Sequence, residues 1–425
     1  MPRSLKIAPD YISLTKSALL RNSFARQQDL AEDVGLARST VSNFLNGKPV
    51  DYLNFYEISE RLGLDWQKIA DFQSDDVPIH QPTESQSEAD SDDFIEEIET
   101  EVSHYVHRPE IESSCYHTLN KPGSLLRIKA PQRLGKTTLT TELIQQFKQQ
   151  GYHTALVNLQ LADVSVLQEI ETFIRWFCAV VSRQLKLPNQ LVEYWDEDLG
   201  SSYNCKIYFE EYLLPQLETP IILALDEVDH LFPYTDIAAD FLGLLRAWHD
   251  EAQAYPIWQK LRLIVVHSTE VYIPLDINQS PFNVGVPIDL PEFTTAQVTI
   301  FAQQQKLQFN QTETKQLINL VGGHPYLLQR AFYRLSRHGI TLNQLLETAQ
   351  TESGIYGDHL RGHLLNLQQY PDLVDALKQV VHAEKPIQIT SKLAYYLKSL
   401  GLIELQGDYA IPRYPLYRQY FCSHL

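Results

Sequence analysis

The chain has no apolar amino-terminal stretch of the kind that directs secretion: MPRSLKIAPDYISLTK mixes charges and hydroxyls where such a stretch would stand. None of its 425 residues lies in a run approaching the roughly eighteen uninterrupted apolar positions of a spanning helix, so a membrane protein is not expected. Cys115, Cys178, Cys205 and Cys422 include no CxxC pair, which argues against a metal site or disulfide framework and for reduced thiols in a cytoplasmic protein. Between Ser74 and Glu101 there is no lysine or arginine at all, against eleven acidic residues. The net charge of −18 is therefore concentrated in one stretch, while residues 1–73 balance nine basic against nine acidic side chains. Global charge thus neither supports nor excludes nucleic acid as a partner.

What is present is ordinary globular composition, 44% apolar and 21% charged, in a chain long enough for two or three cores. Three blocks separate. Residues 1–73 read as short amphipathic helices with turn signals at Gly35, Gly47 and Gly63. Residues 74–93, rich in Pro, Ser, Gln and acid, have almost nothing to bury and read as a disordered tether. From about Phe94 apolar periodicity returns. The short runs 125–130, 155–158, 221–225, 261–267 and 284–290 read as buried strands, and 136–150, 166–186 and 237–253 as helices between them. That alternation implies an α/β fold, a parallel sheet covered by helices on both faces. After Leu290 the pattern is helical, closing on a small hairpin around Gln406-Gly407-Asp408.

One strand–helix junction carries chemistry. Ala130-Pro131-Gln132-Arg133-Leu134-Gly135-Lys136-Thr137-Thr138 follows a predicted strand and opens a predicted helix. A phosphate-binding loop needs that context, because its backbone N–H groups and the helix N-terminus must face phosphate oxygens. Gly135 allows close backbone approach, Lys136 supplies a charge to the β/γ-phosphates, and Thr137 supplies a hydroxyl to Mg²⁺. Ala130 stands where the first glycine of such loops is usual. About ninety residues on, Ile221-Ile222-Leu223-Ala224-Leu225-Asp226-Glu227 describes a buried strand ending in two carboxylates. Asp226 is expected to hold Mg²⁺ through water and Glu227 to polarise the attacking water. The two segments together imply an ATP/ADP site with Mg²⁺.

On these motifs, with Tyr105-Val106-His107-Arg108, the helix segment around Leu245-Arg246-Ala247-Trp248 and Gly322-Gly323-His324-Pro325, the chain from Phe94 onward resembles the prokaryotic AAA-like P-loop ATPases, near the STAND signalling ATPases. The resemblance implies a core over 94–292, a helical lid over 293–368 and a winged helix over 369–425. By the same resemblance His324 and Pro325 are nucleotide sensors, and Val106 and Arg108 lie near the base. Ser268 and Thr269 end the strand where a γ-phosphate sensor is placed, and Arg246 is an arginine finger across a subunit boundary in a nucleotide-dependent homo-oligomer.

Gln28-Asp29-Leu30-Ala31-Glu32-Asp33-Val34, Gly35 at a turn, and a second helix from Arg38-Ser39 have the logic of a helix-turn-helix. Leu30, Ala31, Val34, Leu36, Val41 and Leu45 share one face. The segment resembles Xre/Cro-type domains, which implies that Arg38, Ser39, Thr40 and Asn43 face a major groove of duplex DNA and that Gln28 and Lys48 touch phosphates. The expected function is a regulatory ATPase that binds DNA and switches with nucleotide. The alternatives are a DNA-stimulated motor or loader, and a non-hydrolysing, nucleotide-stabilised repressor. No nuclease, protease or repeat-sensor region is recognisable, so an effector protein acting in trans is a further expected partner.

Overall fold

The computed structural model describes residues 105–268 and 281–425 other than 338, and, nearer the amino terminus, 4–8, 11, 12, 15, 16, 18, 24, 30, 31, 38–48, 50–62, 64 and 69. The chain divides into two compact units, Met1–Ser103 and His104–Leu425. The expected tether at 74–93 lies outside the described residues.

In the first unit, strand β1 (Ser4–Leu5) pairs antiparallel with β2 (Val50–Asp51), a small ladder added to what periodicity reads as helical. Helix α1 (Arg38–Leu45) buries Val41, Phe44 and Leu45, the i, i+3, i+4 spacing of one helical face. Helix α2 (Tyr52–Arg61) answers with Phe55 and Ile58, and the Phe44 and Phe55 rings meet edge-on at 4.9 Å. Leu30 and Ala31 are helical and buried in the same core. Val34 and Leu36 lie outside the described residues.

The second unit is built on β3 (Leu125–Lys129), β4 (His153–Asn158), β5 (Ile221–Asp226), β6 (Leu261–His267) and β7 (Val286–Asp289), all parallel, in the order β4-β5-β6-β3-β7. Interior strands β5 and β6 are buried at every position, which is why they read in sequence as unbroken apolar runs. Period-2 alternation then sorts their side chains between two layers. Leu126, Ile128, Ile222, Ala224, Ile264 and Val266 pack under α3 (Pro109–Leu119) and α4 (Lys136–Gln149). Leu223, Leu225, Leu263 and Val265 pack under α5 (Ile170–Gln184) and α6 (Thr235–Ala254). Truncating one of these, Leu223→Ala, should cost about 2–5 kcal/mol. The single helix expected over 166–186 is split: a 3-10 turn at Val166–Gln168 precedes Glu169, whose extended backbone (φ −135°) starts α5 afresh.

After β7 the chain is helical: α7 (Thr295–Gln304), α8 (Gln311–Val321), α9 (Pro325–Arg337), α10 (Leu342–Thr348) and α11 (Gly357–Gln368). Three of these starts are fixed by reciprocal capping boxes, Thr294 with Gln297, Asn310 with Glu313 and Thr341 with Gln344. Then come α12 (Pro371–His382), α13 (Ser391–Ser399), the hairpin β8 (Ile403–Gln406) and β9 (Tyr409–Pro412), and α14 (Pro415–His424). The hairpin turns at Gly407 (φ +63°), as its sequence suggests. Everything from α7 to α14 shares one apolar core, which also takes in Val106.

Among the described residues, no helix is long and apolar enough to cross a membrane. All four thiols are free, with the buried Sγ atoms of Cys178 and Cys205 3.5 Å apart.

Candidate nucleotide site

Residues 130–135 leave the carboxyl end of β3 and return as α4, with Gly135 in the left-handed region (φ +92°) capping the helix. A side chain is strained at that φ, and the bare Cα leaves the turn open to an approaching phosphate. Arg133 is also left-handed (φ +62°) although it carries a side chain. Lys136 is buried, and its Nζ donates to the carbonyl oxygens of Ala130 and Pro131, both at 3.1 Å. Burial pulls its pKa down, and the carboxylates of Glu227, Asp229 and Asp226 oppose that shift. Within the loop Leu134 is buried, Gln132, Arg133 and Thr137 are exposed, and Pro131 and Thr138 are half-buried.

Thr137 Oγ1 donates to Asp226 Oδ2 at 2.8 Å. This contact crosses the sheet, because β6 stands between β3 and β5. It brings a hydroxyl and a carboxylate within reach of one cation, and hard oxygen donors of this kind suit Mg²⁺. The Glu227 N–H donates to Asp226 Oδ1 (2.9 Å), and Glu227 itself is left-handed (φ +56°) at the strand's end. Burial, then the neighbouring Asp229 charge, raise the Glu227 carboxyl above its ordinary value. A carboxylate raised toward neutrality is a better proton acceptor.

Asp229 went unnoticed in sequence. Its Oδ1 accepts from the Ser268 N–H (2.8 Å) and ties the end of β6 to the segment after β5. Its spacing, three residues past Asp226 on a 3-10 turn (Val228–Leu231), was the available signal. Thr269 lies outside the described residues, so the position after Ser268 carries no geometry.

Arg108 is buried against the loop. Its Nη2 donates to the Leu134 carbonyl (3.1 Å), its guanidinium covers the Phe293 ring at 4.6 Å, and Nη1 is buried without a partner. Burial lowers its pKa to about 10. Val106 packs in the apolar core shared by α7 to α14.

His324 is buried just before α9, with Nδ1 unpartnered, and burial followed by the Arg413 and His363 neighbours lowers its pKa to about 3. Pro325 opens α9, where its missing N–H costs nothing. The two glycines before it answer to packing: a Cβ on Gly322 (φ +63°) would lie 2.5 Å from Glu292 Oε2, and one on Gly323 2.0 Å from the Phe293 carbonyl. Glu292, also unforeseen, accepts from the Gly323 N–H (2.9 Å), Arg413 (2.8 Å) and Tyr414 (2.6 Å). His324, Arg133, His359, His363, Arg413 and Tyr417 share the lining of a cavity of about 100 Å³ beside the loop.

Arg246 is not part of this cluster. Its Nε pairs with Asp250 Oδ2 (2.8 Å), one turn further along α6, on the helix surface.

In the first unit Arg38 and Ser39 open α1, and Thr40 and Asn43 are half-buried on it. Lys48 is exposed, its N–H closing the helix on the Asn43 carbonyl (2.9 Å). Gln28 lies outside the described residues.

A family model for the AAA-like domain matches residues 95–423, and the chain belongs to that family. No curated protein matches it. Among solved structures, the Walker-type ATPase PABY2304 of Pyrococcus abyssi aligns at TM-score 0.55 and 16% identity, over 76% of this chain and 97% of that one. The Aeropyrum pernix ORC2 protein in its ADPNP–ADP complexes aligns at 0.44 and 17%, over 75% and 93%. The ORC1 protein of that organism in complex with DNA aligns at 0.37 and 12%, over 76% and 93%. The first of these likenesses is one of fold: a mixed α/β P-loop ATPase core on a five-stranded parallel sheet.

Proposed function

We propose that this chain is a regulatory ATPase that binds ATP with Mg²⁺ at the loop Ala130–Thr138, hydrolyses it slowly, and binds duplex DNA through its amino-terminal helix-turn-helix. The observation that carries the nucleotide reading is the Thr137–Asp226 hydrogen bond beside the buried Lys136. A P-loop hydroxyl and a strand-end carboxylate are thereby joined across an intervening strand. Thr137 and Asp226 would hold Mg²⁺, which would supply positive charge to the β/γ-phosphates of ATP, and Lys136 would turn from the loop carbonyls to those phosphates. Glu227 accepts a proton from water as that water attacks the γ-phosphorus and the bond to the ADP oxygen breaks. Arg108 fixes the loop from behind, and His324 and Pro325 bring the lid to the nucleotide. The module 369–425, read as a winged helix, shares the lid's core and so moves with it.

The DNA half of the proposal rests on α1, which buries Val41, Phe44 and Leu45 on one face and keeps Thr40 and Asn43 only half-buried, as a recognition helix would. Nucleotide-dependent self-association, with Arg246 reaching a neighbour's site, and an effector acting in trans belong to the same reading.

The test is steady-state ATP hydrolysis at low salt, with and without duplex DNA, using Lys136→Ala as the blank. Slow turnover indifferent to DNA supports the switch, and strong DNA stimulation supports a motor or loader instead. Wild-type turnover equal to the blank removes the catalytic claim.

A further inference from the structure

The left-handed backbone at Arg133 needs an explanation of its own. A residue with a side chain held at φ +62° stores roughly 1–3 kcal/mol of strain and persists only where its surroundings over-determine it. Here the surroundings are the distal half of the unit. The Arg133 guanidinium lies over the Tyr326 ring on α9 (4.4 Å), and its Nη1 is 3.4 Å from Nδ1 of His359 on α11. On the far side of that imidazole, Nε2 is 2.9 Å from the hydroxyl of Tyr417 on α14.

Donor logic fixes the direction of this chain. Arginine can only donate, so Nδ1 of His359 accepts, Nε2 carries the ring proton, and Nε2–H donates to the Tyr417 oxygen. The relay works only with a neutral imidazole. Burial, reinforced by the nearby His363, His324 and Arg133, keeps His359 well below its ordinary pKa.

We propose that His359 and Tyr417 are positioning residues for nucleotide binding: through Arg133 they hold the phosphate-binding loop in the left-handed turn that aims its N–H groups. Successive backbone N–H groups around left-handed turns form an anion-binding nest, and Arg133 and Gly135 are the two left-handed positions of this loop. Nucleotide affinity is then set in part by the carboxyl-terminal helix, which touches the loop through one imidazole. The inference rests on the loop being a nucleotide site, as proposed above.

The experiment measures the Kd of the full-length chain for a fluorescent ATP analogue with Mg²⁺, for wild type, Arg133→Ala, His359→Leu, His359→Gln and the Arg133→Ala/His359→Leu double variant. Arg133→Ala is at an exposed position and guards against loss of folding. Arg133→Ala and His359→Leu should each weaken binding about fivefold or more, the low end of the strain released. The double variant should be no weaker than either single one. Gln, which can accept from Arg133 and donate to Tyr417, should restore most of the loss. Single variants binding like wild type, a double variant whose losses multiply, or a Gln variant as weak as Leu would each overturn the relay. Wild-type protein that binds no analogue sinks the nucleotide-site reading itself, a distinct outcome from unchanged affinity in the variants.

Discussion

Replacing Glu292 by glutamine changes one oxygen for one NH₂ group, and the structure says why that is not conservative. Oε1 accepts from Arg413 and from the Tyr414 hydroxyl, while Oε2 accepts from the Gly323 N–H. Both oxygens face donors, so a carboxamide must turn its own NH₂ toward one of them whichever way it is flipped. If the amide nitrogen faces the buried Gly323 N–H, that donor is orphaned at a cost of about 1–3 kcal/mol. The ion pair with Arg413 is partly solvated, at 26% and 19% side-chain exposure, so its lost charge adds only about 0.5–1 kcal/mol. A total near 2–3 kcal/mol, set against an unfolding entropy of about 2.1 cal/mol/K per residue, lowers the Tm of the His104–Leu425 unit by about 3–5 °C. The assay is a thermal melt of Glu292→Gln, Arg413→Gln and the double variant. The two single losses should fail to add by at least about 0.5 kcal/mol, because the residues share one contact. A Glu292→Gln melt within about 1 °C of wild type would falsify the view that this carboxylate ties the end of β7 to Gly323 and to the Arg413–Tyr414 segment.

Other outcomes follow from the same contacts. Glu227→Gln should keep nucleotide affinity and lose turnover by about 10²-fold or more, read by single-turnover hydrolysis beside analogue binding; unchanged turnover removes Glu227 from the chemistry. Stability should fall with acid: burial holds His324 and His363 down to about 3 and about 4, so the unfolded chain binds more protons below the ordinary histidine value near 6.5. That stabilisation is intact above about pH 6.5 and is lost as pH falls toward 4 and then 3; Glu227, with its carboxyl raised, opposes the trend by one proton. A melt that is flat or rising from pH 7 to pH 4.5 contradicts it. In the first unit, Lys48→Ala should weaken DNA binding evenly across sequences and reduce the salt slope by about 1, whereas Arg38→Ala should change sequence preference. Equal effects of the two on a cognate and a scrambled duplex would undo the recognition-helix assignment.

The core was legible because its signals are local. Five apolar runs became five parallel strands within a few residues of their expected ends, since buried interior strands must be apolar on both faces. The turn from β3 into α4 was legible because a glycine, a lysine and a threonine in that pattern mark a strand–helix junction. What escaped were contacts closed only by the tertiary fold. Glu292 meets partners at Gly323 and at Arg413–Tyr414, about thirty and a hundred and twenty residues away, and no periodicity announces that. His359 looks in sequence like one more polar residue on an amphipathic helix, yet it is nine-tenths excluded from water between the loop and α14. The Gly322-Gly323 pair was noticed as a motif, but its reason, the close approach of Glu292 and Phe293, belongs to packing.

The strand order gives Asp229 a place that spacing alone could not. Because β6 separates β3 from β5, three chemical ends converge above it: Thr137 from α4, Asp226 and Glu227 from the end of β5, and Ser268 from the end of β6 itself. Asp229 bonds the Ser268 N–H and also places a negative charge that raises the Glu227 carboxyl. These two roles separate in Asp229→Asn. The amide oxygen can still accept from Ser268, so the tie between β5 and β6 survives and stability should move by less than about 1 kcal/mol. The charge is gone, so the Glu227 carboxyl should fall toward its ordinary value, and the acidic limb of the kcat–pH profile should move to lower pH. A profile that stays in place while stability drops would mean that Asp229 is a structural tie only, and that Glu227 owes its raised carboxyl to burial.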